Sequence, residues 1–207
     1  MAVFAAAAIS SCAAQDITLP TPAKSGGTPL SEALSMRKSI REFNPDRDLT
    51  LQQVADLLWS AAGINRADGH TTNPTALNSQ EIAVYLFDKN GVYQYDKQNN
   101  RLSHVADGDH RALVAGTKEF TQDFVLDAPV SLVMVADIDK FERGGDMRLV
   151  LGACDAGIVT ENINLYCAAN GLATVTRATM DQKGIAALLG LRQSQIPLLN
   201  NPVGYAK

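Results

Sequence analysis

Five consecutive residues, Arg37-Lys38-Ser39-Ile40-Arg41, set three cations and a hydroxyl side by side where an amphipathic helix ends. Guanidinium forks donate paired hydrogen bonds that match planar or tetrahedral oxyanions. If the chain turns extended at Ser39, alternation sends Arg37, Ser39 and Arg41 to one face and Lys38 and Ile40 to the other. The first face suits a phosphate or the polar edge of a ligand ring, while Ile40 enters the core. The same residues also suit a solvated basic turn, where cations complement a helix C-terminus. Little else competes for the chemistry. Cys12, Cys154 and Cys167 are odd in number and lack the close spacing of a redox or zinc pair. Cys154 and Cys167 fall in an apolar helical stretch and read as small buried hydrophobes. His70, His104 and His110 sit in polar, loop-like sequence without ligand spacing.

Stepping outward, 207 residues with 46% hydrophobic and 19% charged content suffice for one sizeable core. A net charge of −4 argues against a nucleic-acid surface, which needs a broad excess of Lys and Arg. Local positive charge must therefore serve something small. The helix before the cationic run has Thr28 as N-cap, Pro29 at its first position, and Leu30, Ala33 and Leu34 at apolar spacing. A second helix starts at Thr50, with Gln53 as capping-box partner, runs through Leu51, Val54, Leu57, Leu58 and Ala61, and stops near Gly63. Trp59 lies on its border, as core or pocket wall. Residues 65–79 read as polar loop and 81–87 as a strand, and Asn90-Gly91 is a type I′ turn signal leading to a returning strand over 92–95. A helix is expected near 107–114, and the apolar run 130–136 reads as a buried central strand. The longest helical signal spans about 147–170, apolar over much of its circumference. Gly171 ends it. A strand over 172–177, a short helix over 181–189 closed by Gly190, and a last strand within 195–207 complete the chain. The fold class is α+β, a mixed, mainly antiparallel sheet flanked by helices around a long central helix.

Residues 1–14 are almost wholly apolar or small and end in Cys12-Ala13-Ala14, the pattern of a signal peptide. Ile9-Ser10-Ser11-Cys12 also resembles a lipoprotein box, with Cys12 acylated. The expectation is export to a bacterial periplasm, or lipid anchoring; a cytoplasmic protein follows if the segment is no signal. The apolar run is too short to span a membrane. Residues 15–27, rich in Pro, Thr, Ser and Gly, form an extended arm, and 28–207 a single domain.

Three segments together resemble the FMN-dependent nitroreductases, flavoproteins that form intertwined homodimers, and the likeness covers Leu30 to Lys207. Arg37-Lys38-Ser39-Ile40-Arg41 is similar to that family's opening flavin motif. Pro74-Thr75-Ala76-Leu77-Asn78-Ser79-Gln80 resembles its interface loop, which reaches the flavin of the other subunit, with Thr75 in place of the usual serine. Asp155-Ala156-Gly157 through Asn162 to Gly171-Leu172-Ala173-Thr174 is similar to the dimer-core helix and the loop near flavin N5. Lys207 stands where the family supplies a last cation to the phosphate. The spacing around Leu57-Leu58-Trp59 and Ala62-Gly63-Ile64-Asn65-Arg66 resembles the branch of thiazole- and oxazole-forming peptide dehydrogenases, although that branch's catalytic lysine and tyrosine have no counterpart that can be placed here.

The resemblance implies an FMN-binding oxidoreductase, with Arg37, Lys38, Ser39, Arg41, Pro74, Thr75, Ala76, Leu77, Asn78, Gln80, Ala173, Thr174 and Lys207 around the cofactor. No protein side chain need be the catalyst, since the flavin carries the redox step. A guanidinium from Arg37 or Arg41 would stabilise negative charge near the ring's N1 and O2, and Asn78 or Gln80 would meet the pyrimidine edge with donor and acceptor together. Hydride would pass from a reduced nicotinamide, or another donor, to a nitroaromatic or quinone by ping-pong turnover. Two other readings share the fold: an exported flavin- or ligand-binding protein without turnover, and an enzyme of reductive dehalogenation or ring fragmentation.

Overall fold

The computed structural model describes residues 15–207; the expected export signal and Cys12 lie outside them. Seven strands form one sheet: β1 (Ile17–Thr18), β2 (Ile82–Asp88), β3 (Gly91–Asp96), β4 (Arg101–Asp107), β5 (Val130–Asp137), β6 (Ala173–Thr174) and β7 (Gln195–Gly204). Their spatial order is β1-β4-β3-β2-β5-β7-β6. Every strand pairing is antiparallel, so the expected mixture is absent among the described residues. Helices α1 (Leu30–Met36), α2 (Leu51–Ala62), α3 (Arg111–Ala115), α4 (Arg148–Ala169) and α5 (Gln182–Leu188) flank it.

The centre of the sheet explains its two-sided burial. All eight residues of β5 are buried. Its Leu132, Met134 and Ala136, with Ile82, Val84 and Leu86 of β2, face α2 and α4. The alternate residues, Val133 and Val135 with Tyr85 and Phe87, pack with Val114, Ala115 and Ile185 from α3 and α5. A period of two thus distributes apolar side chains between two cores, one on each face. Burying a Leu, Val or Phe in such a layer stabilises by roughly 1.5–3 kcal/mol.

Helix boundaries follow local chemistry. Thr50 caps α2 as expected: its side chain accepts from Gln53 N, and the Gln53 side chain accepts from Thr50 N. Helix α4 ends in a Schellman-type turn, with Gly171 at φ 66° and Leu172 N–H donating to Cys167 O at 2.9 Å. That turn delivers the chain to β6. Helix α1 departs from expectation. It starts at Leu30 after Pro29, and the Thr28 hydroxyl donates instead to Ala169 O at the end of α4.

Other expectations shift for physical reasons. The β2–β3 hairpin forms, but neither Asn90 nor Gly91 has positive φ, so the turn is not type I′. The Asp88 carboxylate accepts from both of their amides and closes the turn itself. Strand β4 occupies sequence expected to be polar coil, and His104 belongs to it rather than to a loop. Only Leu102 of its seven residues is buried, which leaves no clear alternation to read. β6 is two residues long, followed at Arg177 by an isolated bridge to Asn200. Cys167 is buried as expected; Cys154, expected to be buried too, is exposed on α4. The arm over 15–27 is stitched down: Ile17 pairs with Leu102, Asp16 accepts from His104 N, and Ala23 N donates to Asp56.

Candidate functional site

Backbone hydrogen bonds bring two distant segments, β6 and the C-terminal residues, to the cationic run. Ile40 N donates to Thr174 O at 2.9 Å, Asn44 N to Tyr205 O at 2.8 Å, and Lys207 N to Glu42 O at 3.2 Å. Phe43 bridges Ala206 and is fully buried. The run is not regular strand, yet Ile40 and Phe43 anchor inward while Lys38, Ser39 and Arg41 are exposed and Arg37 half-buried. Ala173 and Thr174 are buried and form the floor beneath it. Thr174 is fixed from below by Asn201, whose side-chain amide also reaches Asn164 of α4. One chain therefore places Arg37, Lys38, Ser39, Arg41, Ala173, Thr174 and Lys207 in one neighbourhood.

The charge there is unspent. The side chains of Arg37, Lys38, Ser39, Arg41 and Lys207 have no hydrogen-bond or ion-pair partner among the described residues. Carried on a backbone tied to β6 and to the C-terminal residues, these donors are a cationic seat of the chemical type that matches a phosphate-like oxyanion. Arg47 does not join them; its guanidinium stacks 3.3 Å from the Tyr205 ring centroid.

The second segment lies elsewhere. Residues 74–80 form a tight loop in which Leu77, Asn78 and Gln80 have φ of 56°, 53° and 46°. Left-handed backbone at non-glycine residues costs roughly 1–3 kcal/mol each and persists only where surroundings dictate it. Here they do. Ala76 N donates to the Asp155 carboxylate on α4 at 2.7 Å, and Gln80 N to the Thr75 hydroxyl at 3.0 Å. Lys140 Nζ donates to Gln80 O at 3.2 Å, and Lys97 Nζ to the Gln80 side-chain oxygen at 3.1 Å. The loop presents Leu77 and Asn78 outward, and a cleft of about 300 Å³ between Arg66, His70, Asn73 and Pro74 runs along it to Thr75, Asn78 and Gln80. Asp155 and Asn164 are nine residues apart, so loop and cationic seat are offset by roughly 14 Å along α4. Nothing in one chain bonds Pro74, Thr75, Ala76, Leu77, Asn78 or Gln80 to the seat.

Sequence reasoning missed two participants. Asp155 anchors the loop, although it was legible only as part of a helix motif. Glu81, buried at 1% exposure beneath the loop, gave no signal because it opens an otherwise apolar strand. Burial pushes its carboxyl up to about 7, and the neighbouring Asp155 pushes in the same direction against the hydrogen bond from Ser79. Trp59 proves to be pocket wall: its indole N–H donates to Ile64 O, and its ring lines a second cleft of about 450 Å³ between the arm, α1 and α4.

A model of the nitroreductase family matches residues 34–205, which include the loop and all of the seat but Lys207. The chain belongs to the nitroreductase family. This nitroreductase is 27% identical over 184 residues to a Methanocaldococcus jannaschii protein that bears a nitroreductase name, covering 84% of this chain and 90% of the relative. Among solved structures, a nitroreductase-named protein of Ralstonia eutropha superposes with a TM-score of 0.85 at 35% identity, covering 94% of this chain and 90% of that one. A Staphylococcus epidermidis protein named as an NAD(P)H:FMN oxidoreductase shares the fold with a TM-score of 0.64 at 12% identity, covering 90% and 91%. The nitroreductase described here is an oxidoreductase by family.

Proposed function

We propose that this nitroreductase binds FMN and moves reducing equivalents between a reduced nicotinamide, or another small donor, and an organic acceptor such as a nitroaromatic or quinone. The observation that carries this reading is the unpartnered cluster of Arg37, Lys38, Ser39, Arg41 and Lys207 on a chain of net charge −4. Its donors fit a terminal phosphate and an electron-rich ring edge. The name of the Staphylococcus epidermidis neighbour points to the same cofactor. When bound, FMN supplies the two-electron chemistry; the protein's own residues bind, orient and tune it. The guanidinium groups of Arg37 and Arg41 would neutralise charge on the phosphate or ring, and Ala173-Thr174 would shape the floor. Asn78 and Gln80 offer donor and acceptor amides for a ring edge.

The offset between seat and loop supports a homodimer in which each loop serves the other subunit's seat. The helix faces agree: Leu30, Leu34 and Met36 of α1 and Leu149 and Val150 of α4 are 41–64% exposed in the single chain. Such apolar stripes on adjacent helices are what an intimate two-fold interface covers. Azoline oxidation, the activity of the thiazole- and oxazole-forming branch, would make a peptide the electron donor to the flavin, and it belongs to the same proposal as one substrate class to be screened.

The absorbance spectrum of the purified protein tests the reading. A yellow protein that bleaches with NADH or NADPH and recovers with a nitroaromatic or quinone is expected. A protein that takes up no flavin when offered FMN ends the proposal, and one that holds flavin but never bleaches is a binding module.

A further inference from the structure

Beneath the strained loop lies a carboxyl group whose hydrogen bonds do not close without an additional proton. The Ser79 hydroxyl sits 2.9 Å from Ala76 O and 2.6 Å from the Glu81 Oε2 carboxylate oxygen, two acceptors for its single proton. Glu81 Oε1 is buried with no partner at all. Asp155, 4% exposed, lies within hydrogen-bonding reach of Glu81 and already accepts from Ala76 N. Two ionised carboxylates in such contact repel, and an unpaired buried oxygen is costly.

We propose that Glu81 is a positioning residue that is protonated when the 74–80 loop is in its left-handed form, and that loss of this proton releases the loop. With the proton present, Glu81 donates to Ser79 or Asp155, Ser79 donates to Ala76 O, and Asp155 accepts from Ala76 N. The Glu81 hydroxyl, Ser79 and Asp155 then each have a partner, and the repulsion between two carboxylates is gone. Without it, two adjacent negative charges bear on the two residues that hold Ala76 and Ser79, and the three positive-φ residues lose the contacts that dictate their conformation. Asp155 faces Glu81 from α4 and favours the proton. Lys97, after β3, favours its loss; Lys140, after β5, is tied to Gln80 and in turn disfavours the charge on Lys97. Asp137, whose amide donates to Glu81 O, has its own carboxylate paired with Arg192. Desolvation dominates the balance and keeps Glu81 neutral below about pH 7.

The consequence for cofactor grip rests on the flavin reading above, because the loop is the part that would reach the partner's seat. The proton itself does not depend on that reading. The test is a carbon-13 NMR titration of the side-chain carboxyls in the full-length protein as purified, with Glu81 assigned through its own bonds, alongside hydrogen exchange of the Ala76 and Gln80 amides. Glu81 is expected to titrate near neutrality, and protection at both amides to fall by about tenfold or more between roughly pH 6 and pH 8. Glu81→Gln, which keeps a donor and carries no charge, should hold protection constant over that range. A Glu81 signal titrating in the ordinary carboxylate range, or the same fall in Glu81→Gln, overturns the inference. Should Glu81→Gln fail to fold, the wild-type titration decides alone. Flavin content of Arg37→Ala reports on the cofactor reading independently, so either idea can fall without the other.

Discussion

Arg37 differs from Lys38 and Arg41 in being half-buried. Replacing Arg37 with Ala should weaken FMN binding by roughly 1.5–3 kcal/mol, the range for a charge-assisted hydrogen bond. Flavin content after dialysis and a fluorescence titration measure it, and an unchanged affinity would remove Arg37 from the phosphate. Glu81 sets a pH dependence whose sign can be worked out. Its folded-state pKa, about 7, is above the unfolded value of 4.5, so the folded chain binds more protons between them. This group's contribution to stability is therefore full below the lower value and declines as pH rises toward 7. Denaturant midpoints across that window should fall for the wild type more than for Glu81→Gln. Arg177 makes the opposite kind of demand. It is buried, its pKa is pressed down to about 10 by desolvation, and it donates only to neutral acceptors: Gln122, Val114 O, Ala115 O and Asn200. Arg177→Ala would orphan several buried acceptors and should cost at least about 3 kcal/mol, read by chemical denaturation.

At the scale of elements, what could be read from sequence depended on whether the cause was local. The capping box of α2, the glycine stop after α4 and the mostly apolar β5 are each written in a few adjacent residues, and each appears where expected. Thr50→Ala should accordingly lower stability by about 1 kcal/mol, detectable as a shift in thermal midpoint. β4 was not legible because its neighbours, not its own pattern, make it a strand. The hairpin turn was legible in place but not in type, since the Asp88 carboxylate took over the work that positive-φ residues would have done. The cationic seat could be read as a motif, whereas its construction from β6 and the C-terminal strand depends on backbone bonds between residues more than 130 positions apart. The loop was recognisable by composition. Its left-handed residues and its tether to Asp155 were not, because tertiary contacts impose them.

For the whole molecule, the proposed site divides between two segments offset along α4, so under the homodimer proposal cofactor binding would depend on assembly. Val150 is 49% exposed on the bare face of α4, so Val150→Arg leaves the core intact while placing charge on that face. The variant should sediment as a monomer and lose flavin together, whereas a dimer that persists would show that a different surface joins the copies. The sheet itself offers little purchase for association. Its two outermost strands, β1 and β6, are each two residues long, and the next open amide, at His104, is already taken by the Asp16 carboxylate. Among the described residues, a foreign strand seeking backbone partners would meet only two-residue ladders at these outermost strands. Under crowding or mild heating, then, this chain should resist fibril-type growth at its margins.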